Sequence, residues 1–291
     1  MIFYFSATGN SLYAARSLDA DAVSIPQVMD REETAGGLHF KSEQIGIAAP
    51  IYGHELPRMV KEFIDRAEFD TDYLYLILTY GNRHANAVEL AQNVFRRAGK
   101  RVDCIRTLLM ADNFLPAFDM EKQVRLDKHV EEQLADIRAD LAAGRHRIEE
   151  VTEADRRAHA EYLAAVHGRP ETVWADFTFT DQCLGCGICT RVCPAGCLHL
   201  ERHRAVRIDD HCQACMACAH ACPEGAIKVN SVFGFTEPNP HARYRNEHVS
   251  LTDLVRANRR SRTAESRMPA AAAKHDSRAK KQSALYVGNQ Y

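Results

Sequence analysis

Eight of the chain's 10 cysteines fall in two copies of one pattern. Cys183, Cys186, Cys189 and Cys193 run up to Pro194, and Cys212, Cys215, Cys218 and Cys222 run up to Pro223. Each copy reads C-x2-C-x2-C-x3-C-P, the two-cluster iron–sulfur run. Three thiolates at steps of three residues can curl around one cube of iron and sulfide. The fourth lies too far along the chain and ligates the other cube. The spacing therefore predicts one [4Fe–4S] centre on Cys183, Cys186, Cys189 and Cys222, and a second on Cys212, Cys215, Cys218 and Cys193. This cross-over knits the two halves together and brings the centres within range for electron exchange.

Structural zinc also favours paired C-x2-C ligands, but it usually separates its pairs by a long spacer, whereas here three cysteines fall at consecutive steps of three. A disulfide framework belongs to secreted chains, and nothing else in the sequence reads as secreted. Over about residues 174–232 the stretch closely resembles the bacterial two-[4Fe–4S] ferredoxin domain, from the Phe177-x-Phe179 lead-in to the Ala226-Ile227-Lys228-Val229 exit. Cys197 departs from that pattern, standing where such domains often carry a small apolar residue. It reads as a buried, inert side chain, with a spare ligand or redox thiol as the sharper alternative.

At 291 residues the chain is long enough for two domains, each with its own core. No segment approaches the roughly 20 apolar residues of a membrane helix; the longest apolar run, Tyr73 to Tyr80, has strand length. Met1 opens directly onto Ile-Phe-Tyr-Phe without a basic leader, so a cytoplasmic location is expected, where thiols stay reduced. The formal charge of −2 is unevenly spread: residues 241–291 hold 11 Lys/Arg against 4 Asp/Glu. A basic tail can bind nucleic acid, but the Ala, Ser and Lys content of 261–291 reads as a flexible solvated terminus, and no nucleic acid is expected as a partner.

Residues 1–167 alternate short apolar runs with amphipathic stretches, the pattern of a parallel sheet covered by helices. Strands are predicted at Ile2–Phe5, Ala22–Ile25, Gln44–Ala49, Tyr73–Thr79 and Val102–Met110. Helices are predicted at Ser11–Leu18, Pro57–Arg66 and Ala85–Ala98. Two trailing helices follow. In one, Leu126, Val130, Leu134, Ile137 and Leu141 recur at helical spacing and Gly144 ends it. In the other, Thr152 and Asp155 cap the start, with Gly168 and Pro170 at the stop. Residues 168–176 make a linker, 177–232 the cluster domain, and 233–260 a docking segment ahead of the tail.

Ligands of an open parallel sheet sit beyond the carboxyl ends of its strands, at the switch in strand order. Three loops qualify. Ser6-Ala7-Thr8-Gly9-Asn10-Ser11 offers hydroxyls and a helix N-terminus to a phosphate, with no Lys or Arg in the loop. Neither a Walker motif nor G-x-G-x-x-G is present, which argues against a nucleoside triphosphate or dinucleotide there. Pro50-Ile51-Tyr52-Gly53-His54-Glu55-Leu56-Pro57 and Thr79-Tyr80-Gly81-Asn82-Arg83 offer aromatic faces and glycine-supplied amides, as a planar ring bearing carbonyls and nitrogens would require.

Together, over about residues 1–145, these loops resemble the flavodoxin family. That resemblance implies a doubly wound parallel α/β sheet of order 2-1-3-4-5, followed here by a small α+β two-[4Fe–4S] ferredoxin domain. It implies FMN as cofactor, with Ser6, Thr8, Gly9, Asn10 and Ser11 at the phosphate, and Pro50, Tyr52, Gly53, His54, Thr79, Tyr80, Gly81 and Asn82 bordering the ring. From residue type alone, Tyr52 and Tyr80 can equally pack a sheet edge. His54 reads more readily as a surface histidine than a proton donor, Trp174 as interdomain packing, and Cys104 as core.

The order of the two domains, with Ala242-Arg243-Tyr244-Arg245-Asn246-Glu247-His248-Val249 after the clusters, resembles the fused flavodoxin–ferredoxin electron-transfer proteins of anaerobes. The function this implies is electron transfer between FMN, two [4Fe–4S] clusters and a redox partner protein or small acceptor. The alternative is an enzyme, a flavin-dependent reductase of a small acceptor or NAD(P)H with the clusters feeding the ring.

Overall fold

A computed structural model of the protein describes residues 1–35, 37–166, 175–208, 211–231 and 233–259. The first half comprises β1 (Ile2–Tyr4), α1 (Asn10–Leu18), β2 (Val23–Ser24), α2 (Ile25–Ala35), β3 (Leu38–Lys41), β4 (Gln44–Pro50), α3 (Arg58–Arg66), β5 (Ala67–Asp70), β6 (Tyr73–Tyr80), α4 (Ala87–Arg97) and β7 (Cys104–Leu109). Then come α5 (Met120–Gln123), α6 (Val130–Ala142) and α7 (Glu153–Ala165). The second half comprises β8 (Ala175–Phe179), α8 (Ile188–Val192), β9 (Leu198–Glu201), β10 (Arg204–Arg207), α9 (Ala217–Ala221), β11 (Ile227–Ser231) and α10 (Leu251–Ala257).

The unbroken apolar run of β6 buries every residue but Tyr80, as a strand covered on both faces requires. It lies between β4 and β7 in a five-stranded sheet of order β2-β1-β4-β6-β7, with every pairing parallel. Counted within that sheet the order is 2-1-3-4-5, the flavodoxin-like doubly wound arrangement, and the switch point lies between β1 and β4. Side-chain alternation sends Phe3 and Phe5 to one face with α2, α3 and α4, and Ile2 and Tyr4 to the other with α1 and α6.

Three elements were not legible in the pattern. The strand expected at 22–25 stops at Ser24, and Ile25–Ala35 is a helix with Pro26 in its first turn, where the missing N–H costs nothing. Leu38–Lys41 and Ala67–Asp70 form a separate parallel pair, too short and too charged on one side to register as strands. Its inner residues Phe40 and Phe69 meet Phe3 and Phe63 in an aromatic cluster, with the Phe3–Phe40 centroids 4.5 Å apart. In the trailing helices, Leu126 lies outside α6 and is half exposed, while Leu134, Ile137 and Leu141 are buried. The capping box of Thr152 and Asp155 opens α7. Gly168, Pro170, Trp174, most of the expected linker and the tail 261–291 lie outside the described residues.

The cluster region folds as two antiparallel pairs, β8–β11 and β9–β10, bracketing the short helices α8 and α9. It shares an apolar core with the sheet: Val192 of α8, Ala217 of α9 and Leu254 and Ala257 of α10 pack with Leu12 and Ala15 of α1. Among the described residues no helix is long and apolar enough to cross a membrane.

Candidate functional site

The turn after β1 gathers buried hydroxyls at the head of a helix. Ser6, Thr8 and Ser11 are almost wholly buried, yet their hydroxyls belong to a loop at the head of α1. Ser6 Oγ accepts from Gly9 N at 3.1 Å, and Ser11 Oγ lies 2.8 Å from Thr79 Oγ1. Gly9 caps α1 at φ 106° with no side-chain cap, so the first N–H groups of the helix, and its positive dipole end, are left for a ligand. A Cβ on Gly9 would lie 2.9 Å from Asn246 Cβ and 3.0 Å from Val249 Cβ, so only glycine fits under that returning segment.

The other two loops meet the first around one cleft of about 240 Å³. Ser6, Thr8, Asn10 and Ser11, Pro50, Tyr52, Gly53 and His54, and Thr79, Tyr80, Gly81 and Asn82 all line it, as do Arg83 and Phe114. Of the residues expected around the flavin, only Gly9 does not. Tyr52 to Glu55 form a tight turn closed by backbone bonds of 2.8 and 3.0 Å, with Gly53 and His54 both left-handed. Histidine tolerates that conformation better than most residues do.

His54 is not a free surface histidine. Its Nδ1 lies 3.4 Å from Nδ1 of His159, and its ring 4.9 Å from that of Tyr162, both carried by α7. Burial first, then the neighbouring His159, Arg83 and His84, pull its pKa down to about 4, so the imidazole is neutral at pH 7. Tyr52 reaches toward the second half of the chain: burial raises its hydroxyl pKa, and the nearby Cys215 adds to the effect.

Cys215, Ala214 and Met216 line the same cleft as the three loops. The cysteine loop is locked there by Gln213, a buried side chain whose Oε1 accepts from Met59 N at the head of α3 (3.0 Å). Cys183, Cys186, Cys189 and Cys222 line a second, smaller pocket together. Burial and then the adjacent Cys183, Cys222 and Cys186 push the Cys189 thiol up to about 11. Cys218 is raised by burial and then by Cys193, Cys215, Cys212 and Cys189, so Cys193 lies beside the thiols of the second run. Backbone N–H groups of Ala205, Ala214 and Ala226 point at the sulfurs of Cys183, Cys212 and Cys222 at 3.3–3.4 Å, the kind of bond that tunes a cluster. Cys197 is buried, with its Sγ 3.5 Å from that of Cys193. Its hydrogen bond is the first cause holding Cys193 below the usual thiol range and Cys212 at about 6.

Several residues escaped the sequence reading. The loop after β7 contributes Asn113, whose Nδ2 donates to Thr8 Oγ1 at 2.6 Å, while an Asx turn from Asp112 to Phe114 N shapes it. Its position beyond a strand's carboxyl end was the available signal. From the returning segment, Tyr244 donates its hydroxyl to Asn10 Oδ1 (2.6 Å), Asn246 donates its amide to the same oxygen (3.2 Å), and Asn246 N donates to Thr8 O (2.8 Å). His220 on α9 joins both arms: its Nδ1 accepts from Tyr244 N at 3.0 Å and its Nε2 donates to Asn113 O at 2.8 Å. Those bonds fix its tautomer, and burial holds its pKa down at about 4.

Residues 182–227 match the family of 4Fe-4S dicluster domains. This region is an iron–sulfur domain. No curated protein sequence matches the chain. Among solved structures, the chain is similar to an NAD(P)H:quinone oxidoreductase from Methanothermobacter marburgensis, 12% identical over 51% of this chain and 96% of that one, at a TM-score of 0.31. It is also similar to the Trp repressor binding protein from Bacillus subtilis, 13% identical over 51% of this chain and 98% of that one, at a TM-score of 0.27. The dicluster domain, joined to a flavodoxin-like sheet, supports a role in electron transfer.

Proposed function

We propose that the protein passes electrons between a bound FMN, two [4Fe–4S] clusters and a redox partner. Ser6, Thr8, Asn10 and Ser11, with the N-terminus of α1, hold the phosphate. Pro50, Tyr52, Gly53 and His54, and Thr79, Tyr80, Gly81 and Asn82, border the ring. Cys183, Cys186, Cys189 and Cys222 carry one cluster, and Cys212, Cys215, Cys218 and Cys193 the other. Bound flavin would supply both one- and two-electron chemistry, and the clusters single-electron steps.

The observation that carries this reading is that Cys215 lines the cleft formed by the three loops. It makes the Cys212 group the inner centre. The Cys183 group faces outward, with Cys186 exposed and Leu184 70% exposed, and is the port for a partner. The protein's own work is to orient these groups and keep water from them, through the buried loops and the lock of Gln213 on α3.

Anaerobic purification followed by flavin, iron and sulfide analysis tests the proposal, with one FMN and about eight irons per chain expected, four per cubane. Zinc in place of iron, or a colourless preparation, overturns it. A second reading, a flavin-dependent reductase of a small acceptor, is favoured by the group of His54, His159 and Arg83 at the cleft mouth.

A further inference from the structure

Beyond the residues that border the phosphate and ring, the cleft is also lined by Tyr162 and Phe233. With Arg83 and His54 of the ring loops they form its lining there, contributed by the loop after β6, the turn after β4, helix α7 and the segment after β11. Four separate elements converge on it.

We propose that this mouth is a binding site for a small planar carboxylate, aromatic or conjugated, with Arg83 as its anion contact and Tyr162 and Phe233 as its apolar wall. The inference rests on the flavin reading above, because the planar ligand would lie against the ring bordered by Tyr52 and Tyr80.

Arg83, His54, His84 and His159 gather at the mouth. Asp155 lies near Arg83 and His84 and Asp112 lines the cleft, but among the described residues no carboxylate lies within ion-pair distance of Arg83. The adjacent acid, Asp155, is committed to its capping box, its Oδ2 accepting from Thr152 N and Oγ1 at 3.0 and 2.6 Å. With His54 neutral at pH 7, the guanidinium is the fixed cation and the His54 imidazole is a neutral hydrogen-bonding group. A planar guanidinium suits a carboxylate by presenting two parallel N–H donors.

The wall points to a flat, apolar ligand body. The Tyr162 and Phe233 rings lie 5.9 Å apart, and Phe235, half exposed, continues the surface at 6.2 Å from Phe233. Tyr162 reaches this position because residue 53 lacks a side chain: a Cβ there would lie 2.3 Å from its hydroxyl oxygen. Aromatic rings offset against such a pair gain from both area and quadrupole.

Calorimetric titration of the flavin- and cluster-loaded full chain with cinnamate, under anaerobic conditions, tests the proposal, with methyl cinnamate as the uncharged control. Cinnamate should bind saturably and at least tenfold more tightly than its ester. Arg83→Ala should erase that tenfold preference, Arg83→Lys should restore part of it, and Phe233→Ala should weaken acid and ester alike by several fold. Equal binding of acid and ester, no saturable binding, or an unchanged preference in Arg83→Ala overturns the proposal while leaving the flavin reading intact. A chain that retains no flavin overturns both.

Discussion

Replacing Thr8 by valine removes a single hydroxyl from the loop after β1 and separates its two duties. Thr8 Oγ1 already accepts from Asn113 Nδ2 at 2.6 Å, so its own proton is left to donate toward the proposed phosphate. A hydrogen bond to a charged group is worth about 1.5–3 kcal/mol, which is roughly 10- to 150-fold in affinity. Thr79 acts one step further away, through its 2.8 Å bond to Ser11 Oγ. Losing that neutral bond costs about 0.5–1.5 kcal/mol, roughly 2- to 12-fold. Fluorescence titration of flavin-free protein with FMN should therefore show Thr8→Val weakening binding well beyond Thr79→Val. Riboflavin, which lacks the phosphate, supplies the internal control: its affinity should change by less than about threefold in Thr8→Val, since the charged partner is missing. If Thr8→Val weakens riboflavin and FMN equally, or if Thr79→Val is the worse variant, the loop does not hold a phosphate and the reasoning fails.

Other outcomes follow from the same geometry. Cys193→Ala should abolish the cluster on Cys212, Cys215 and Cys218 and spare the one on Cys183, Cys186 and Cys189; cluster-resolved EPR showing the reverse would overturn the cross-over. Asp140 is fully buried and takes bonds from Arg106, Arg145 and Arg147. Burial raises its pKa, but the bond from Arg145 and the charges of Arg106 and Arg147 outweigh this and hold the carboxyl below its usual range. Asp140→Ala leaves Arg106 paired with Asp136 and Glu149 and the half-exposed Arg145 and Arg147 in water, so the lost charge-assisted bonds should cost about 1.5–3 kcal/mol in urea unfolding; a loss under about 0.5 kcal/mol would contradict the buried-network argument. The Asp253 carboxyl is lowered to about 2, first by the Ser250 hydroxyl and then by Arg16. That contribution, about 1–2 kcal/mol after solvent screening, is fully present above about pH 4 and lost as pH falls toward 2. Asp253→Asn should speed amide exchange across α10 to match at pH 7, whereas unchanged exchange would refute it.

The sheet and its loops were legible because their signals are local. β6 announces itself as eight residues of strand with no charge, and Thr8-Gly9-Asn10-Ser11 follows β1 directly. The cysteines were legible because a cubane imposes a fixed spacing on the chain. What stayed hidden depends on distant partners. Nothing around His54 names His159, 105 residues away, as the group that takes it out of solvent. The β3–β5 pair is stabilised by Phe3 and Phe63 rather than by its own four-residue strands. Asn10 reads as one more polar residue of the phosphate loop, yet its side chain is occupied by Ala111 O, Tyr244 and Asn246.

The reach of Tyr244 and Asn246 back to Asn10 and Thr8 spans more than 230 residues of chain. On a ribosome, the nascent N-terminal part would emerge long before the residues that finish its first loop. A cell making this protein must therefore translate past the last cysteine before that loop can take its final shape. Fragments ending ahead of residue 244 would lack three of its hydrogen bonds, so the two halves are better regarded as one unit of synthesis than as modules that could be traded between genes.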